Sequence, residues 1–163
     1  MNTFPVINRE TNSVLVVRTD YTDAAAWQAV VAEMMRPWGD DEDMEAFVHF
    51  VDDPAWAGAT PEEIEVAASA NDEMISVVFV ADALTMQEPH HALLAVKITT
   101  GEDEEEQEPA NAEEWAHLSR PFRTEPSEAH NIHVNLDLAN MDFEEFAEAA
   151  LRDPEGVLRR DTD

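Results

Sequence analysis

The chain reads as an α/β protein: one three-layer domain with helices on both faces of a mainly parallel sheet of about five strands. Three observations predict this. Short β-branched runs alternate with helical periodicities through the first half of the chain. One of those runs, residues 76–81 (SVVFVA), is apolar almost throughout, as a parallel strand covered on both faces must be. Capping residues stand where each helix would begin. Strand, helix, strand, helix, strand in that order is the mark of crossover connections in a parallel sheet.

The elements follow in sequence. Residues 13–17 are the first expected strand, and Thr22-Asp23 opens a helix whose Ala24, Trp27, Val30, Val31 and Met34 share one face. Pro37 and Gly39 close that helix. After the acidic stretch 40–45, residues 46–51 (AFVHFV) predict a second strand, and Asp53-Pro54 turns the chain. Thr60-Pro61-Glu62-Glu63 announces a second helix, with threonine at the cap, proline at the first helical position and glutamate three after the cap. Ile64, Ala67 and Ala68 form its buried stripe. Residues 76–81 and 93–99 are the third and fourth strands.

Residues 101–108 (GEDEEEQE) carry no apolar side chain and start a long acidic loop insertion over about 101–110. Beyond it Trp115 and Leu118 suggest a short helix, and Pro121 and Pro126 bracket an irregular or edge segment. Ile132, Val134, Leu136 and Leu138 alternate with polar residues, which predicts a strand with one dry face. Asp142 with Glu145 makes a capping box for the last helix, whose core face is Phe143, Phe146, Ala147, Ala150 and Leu151.

Length and composition limit the function classes. A chain of 163 residues, 44% hydrophobic, buries a core without covalent staples. Cysteine is absent, which removes disulfides, thiolate metal sites and cysteine nucleophiles together. No run approaches the roughly 18 apolar residues of a membrane span. Residues 1–10 lack the basic-then-apolar pattern of a secretory leader. Cytoplasmic residence is the expectation.

Charge is the outlier. Nine basic residues against 37 acidic ones leave a net −28, and the isoelectric point is near 4.1. Lys97 is the single lysine. Such a surface repels nucleic acid and anionic membranes and attracts basic proteins or cations. At one charge per ~1.7 Å of duplex, the same number of charges occupies about 48 Å of DNA, close to the ~40 Å diameter of a globule of this length. Mimicry of nucleic acid by charge is therefore physically open. An acidic surface adapted to salt gives the same composition.

Two sets of residues are candidates for a site. Asp20, Asp52, Asp53 and Asp82 each follow an expected parallel strand, at the edge where open α/β sheets bind ligands. Converging carboxylates there have the oxygen chemistry for Mg²⁺, and Lys97, near the end of the fourth strand, would orient an anion on such a metal. The commoner role of an aspartate after a strand is to start a turn or cap the next helix. The second set is a partner-binding surface: Glu102, Asp103, Glu104, Glu105, Glu106 and Glu108, together with Asp40, Asp41, Glu42 and Asp43. Clustered like charge of this kind steers association with a basic groove. Trp38 and Trp115 are potential anchors beside it, although core packing is the commoner use of tryptophan.

His90-His91 lies in a proline-flanked turn. His130 and His133 would point to opposite faces of a strand, so the strand reading argues against a shared zinc. No glycine-rich phosphate loop, nucleophile elbow or cofactor motif is present, so nothing in the sequence demands an enzyme.

Four blocks carry a resemblance: residues 14–27 (VLVVRTDYTDAAAW), 51–58 (VDDPAWAG), 77–85 (VVFVADALT) and 135–150 (NLDLANMDFEEFAEAA). In this order they resemble an uncharacterised family of small acidic α/β proteins from actinobacteria, known as a domain of unknown function. The resemblance implies an α/β domain of cytoplasmic actinobacterial or phage origin, and it brings no activity, cofactor or catalytic residue with it. The leading functional expectation is a non-catalytic acidic protein that occupies a basic surface of a nucleic-acid-binding or defence protein, as a DNA mimic or immunity protein does. A Mg²⁺-dependent or small-ligand enzyme or sensor using the strand-end aspartates is the second. A generic acidic domain, charged for solubility in salt, is the third.

Overall fold

Side chains supply acceptors for the first N–H groups of several helices. In the computed structural model, which describes residues 7, 13–37, 45–70, 75–87, 91–98, 120–138 and 142–158, helix α1 (Ala24–Met34) starts with the Asp23 carboxylate accepting from the Ala26 N–H at 3.0 Å. At α2 (Pro61–Ala70) the Thr60 N–H donates to Glu63 at 2.9 Å and the Glu63 N–H donates to the Thr60 hydroxyl at 3.2 Å. The same reciprocal box, with Asp142 and Glu145, opens the last helix, Phe143–Arg152. These starts agree with the expectations from sequence.

The strands are β1 (Val14–Arg18), β2 (Val48–Val51), β3 (Val77–Ala81), β4 (Leu93–Lys97), β5 (Phe122–Thr124) and β6 (Val157–Leu158). They form one six-stranded sheet in the order β2-β1-β3-β4-β5-β6. The first three are mutually parallel, and β1 lies between β2 and β3. The fourth runs antiparallel to both its neighbours, and β6 is parallel to β5. Strand β4 therefore runs against the other five. The link from β3 to β4, residues 82–92, carries the short helix α3 (Ala83–Gln87) and is too short for a parallel crossover, so the strand returns alongside β3. The sheet is mixed, and it has six strands where about five were expected.

Alternate strand residues feed two apolar clusters. Val14, Val16, Val77, Phe79, Leu93 and Ala95 pack with Trp27, Val30 and Met34 of α1 and with Phe143, Phe146 and Ala147 of the last helix. Leu15, Val17, Val78, Val80 and Val96 pack with Ile64 and Ala68 of α2, with Ile7, and with Trp56 from a 3-10 turn at Pro54–Trp56. Burying both faces explains why β1 and β3 read as unbroken apolar runs.

One element corrects the reading from sequence. Residues 132–138 do not form a strand: 132–137 belong to helix α4 (Pro126–Asp137), Leu138 is its C-cap, and Phe143–Arg152 is α5. Pro126 occupies the first turn of α4, where its missing N–H costs nothing. The buried positions are Pro126, Ala129, His130, Ile132 and His133, a helical set in which both histidines are core residues. Leu138, which completed the apparent alternation, is 66% exposed. Pro121 and Pro126 bracket β5, which is not the irregular or edge segment expected there: it is an interior strand, paired with β4 on one side and β6 on the other.

Candidate functional site

Strand β1 carries the chain outward to β2, and β3 returns on its other side, so the connections diverge above the carboxyl end of β1. In open α/β sheets this is where ligands bind. Arg18 ends β1 there with its side chain nearly buried. Its Nε donates to the Asp20 carbonyl at 2.9 Å and its Nη1 to Asp52 Oδ1 at 3.2 Å. The guanidinium carbon lies 4.2 Å from the ring centre of Tyr21 and 5.2 Å from that of Trp27, close enough for cation–π attraction to both. Trp27 Nε1 donates to Asp52 Oδ2 at 3.2 Å. Burial, followed by the negative charge of Asp52, pushes the Tyr21 phenol up to about 12.

The strand-end aspartates do different jobs. Asp20 accepts from the Thr22 N–H at 2.8 Å and from the Thr22 hydroxyl, which closes the turn into α1. Asp53 caps the 3-10 turn through the Ala55 N–H at 2.9 Å. Asp82 takes both Nη atoms of Arg123, at 2.8 and 2.7 Å, and accepts from the Thr85 N–H at 3.2 Å. Burial alone would raise the Asp82 carboxyl, but the Arg123 bonds and charge, helped by Thr85, hold it below the ordinary aspartate value. Among the described residues, no three His, Asp or Glu side chains are grouped so as to hold a metal ion.

Lys97 is not at this edge. Because β4 is reversed, Lys97 pairs in register with Val77, the first residue of β3, at the far end from Asp82. Its Nζ donates to Glu144 of α5 at 2.7 Å. The cations that do stand at the carboxyl edge are Arg18 and Arg123, which the sequence reading passed over. The only hint in sequence was their position, one at the end of a strand and the other inside the proline-bracketed segment.

The α4 histidines share one buried face, contrary to the strand reading. His130 Nε2–H donates to the Met34 carbonyl at the end of α1 at 2.8 Å, and burial lowers its pKa. His91 contacts the Thr85 carbonyl through Nδ1 at 3.0 Å. His90, Asp40, Asp41, Glu42, Asp43, Trp38, the acidic loop from Glu102 to Glu108, Trp115 and Leu118 lie outside the described residues.

The model of a family described as a domain of unknown function, DUF6924, matches residues 13–161. The chain belongs to that family. Comparison with curated proteins and with solved structures finds no match. The DUF6924 match spans both apolar clusters except Ile7 and both carboxyl-edge ion pairs, so the whole sheet from β1 to β6 is the family's domain.

The Asp82–Arg123 contact has a pH consequence in this DUF6924 chain. A carboxyl held below its unfolded value adds stability above that value and loses it as pH falls through the folded one. An Asp82→Asn variant should therefore show a shallower loss of stability below about pH 4 than the parent. Unfolding titrations from neutral to acidic pH measure it, and identical acid limbs would show that Asp82 is not coupled to folding.

Proposed function

We propose that this chain is a non-catalytic binding protein that occupies a basic surface of another protein, by the charge mimicry that DNA-mimic and immunity-type inhibitors use. One observation carries the reading. Arg18, Arg36, Lys97, Arg123 and Arg152 each bond a carboxylate of the same chain, Asp52, Glu33, Glu144, Asp82 and Glu148 in turn. Five of the nine cations, all among the described residues, are thus paired within the chain, and the net field the molecule presents is that of its acid excess, 37 − 9 = 28 charges. Such a field supports fast, salt-sensitive capture of a basic partner and opposes nucleic acid and anionic lipid.

The acidic loop concentrates that charge. Changing Glu102, Asp103, Glu104, Glu105, Glu106 and Glu108 to their amides should leave thermal unfolding in place while weakening partner capture by about tenfold or more, roughly 1.4 kcal/mol. The measurement is a pull-down at ~0.15 M salt, where the Debye length is about 8 Å, with parent and variant side by side. A basic protein held by the parent and lost by the variant supports the reading. Equal capture by both, or capture by neither, sinks it.

A further inference from the structure

The sheet ends on β2, and its chemistry differs from that of the strands beside it. All four residues of β2 are half-buried, whereas every residue of β1 and β3 is buried. Among the described residues β2 pairs with β1 alone. The Phe47 carbonyl accepts from the Val14 N–H at 2.9 Å, so alternation along the strand turns the backbone groups of His49 and Val51 toward β1. The backbone N–H and C=O groups of Val48 and Phe50 then face outward. Phe47, at the entry, is 47% exposed. Carboxylates stand at both ends: Glu45 before the strand and Asp53 after it are exposed, and Asp52, also exposed, is already bonded to Arg18 and Trp27.

An edge of this kind, unpaired among the described residues, recruits another strand. A second copy is a poor occupant, because antiparallel edge-to-edge pairing sets Glu45 of one copy near Asp52 and Asp53 of the other, between two chains of net −28. The complementary occupant has apolar residues in the middle and arginine or lysine at its ends. We infer that the β2 edge takes up an extended basic segment of a partner protein by strand addition, with Val48 and Phe50 supplying the main-chain bonds. The inference rests on the proposed acidic-binder function and names where that binder grips.

The test uses the full chain and a short synthetic peptide with a valine-rich middle and arginines at both ends, beside a counterpart with glutamates at both ends. Backbone amide signals of the labelled parent should shift at Val48 and Phe50 with the arginine peptide and not with the glutamate peptide. Val48→Pro removes only an outward N–H and nearly conserves volume, so it should weaken binding about tenfold, while Val48→Ala, which keeps the N–H, should bind within about threefold of the parent. Shifts confined to other residues, or equal affinity of Val48→Pro and parent, overturn the edge assignment. Equal binding of the glutamate peptide, or none of the arginine peptide, overturns the basic occupant. The amide map of the parent decides the matter even if Val48→Pro does not fold. Loss of partner capture in the loop-neutralised variant with a silent β2 edge would remove this inference and leave the acidic-binder function standing.

Discussion

Replacing Trp56 by alanine should cost about 3–5 kcal/mol of folding stability, the range for emptying a large aromatic site in a core. Trp56 arises from a three-residue 3-10 turn, yet it is fully buried and belongs to the cluster between the sheet and α2. Few side chains in that cluster approach its volume: its companions are mostly valine, isoleucine and alanine. The turn is pinned from both sides, by Asp53 at its start and by the Gly58 N–H on the Thr19 carbonyl at 3.0 Å. Gly58 has φ +78°, so this approach to the end of β1 suits glycine. Denaturant unfolding measures the loss. A second readout is local: as the turn loosens, the Tyr21 phenol, near 12 in the parent, should move back toward 10.0. A loss below about 1 kcal/mol would mean that the turn does not close the second cluster. Phe47→Ala, at a half-exposed position, is the small-effect control.

Lys97→Ala should cost about 3 kcal/mol. Glu144 is 2% exposed, and removing the ammonium 2.7 Å away takes the counter-charge from a buried carboxylate. The partial exposure of Lys97 lets water recover some of that cost, which places the figure at the low end for a broken buried pair. Denaturant unfolding of parent and variant side by side measures the loss. The double variant Lys97→Met, Glu144→Leu should recover most of the loss, since replacing both charges leaves nothing buried and unpaired. If the single variant unfolds like the parent, or the double variant is worse than the single, the ion pair is not a structural contact between β4 and α5.

What was legible in the sequence was local. Thr60 with Glu63 and Asp142 with Glu145 signal their helices within four residues, and the apolar runs of β1 and β3 signal burial on both faces. Helix α4 was misread because alternation was scored on its aliphatics alone. Once His130 and His133 are counted as core residues, the helical period from Pro126 appears. The reversal of β4 depends on how much chain α3 takes up, which residue periodicity does not encode. The carboxyl-edge cluster was seen only in its acidic half. Asp52 and Asp82 stand at strand ends that the sequence marks, but their partners Arg18 and Arg123 lie 34 and 41 residues away. The Lys97–Glu144 pair spans 47 residues. A single chain records no such pairing until the sheet order brings the partners together.

The lone lysine being tied to an internal carboxylate has a chemical consequence. Reagents and enzymes that acylate, crosslink or tag side-chain amines find one target in the whole chain, and reaching it means prising Nζ away from Glu144. The protein thus carries an exterior rich in nucleophile-poor oxyanions and close to inert toward amine chemistry. Carbodiimide coupling, which activates carboxyls, is the route by which its contacts with a bound partner are best trapped.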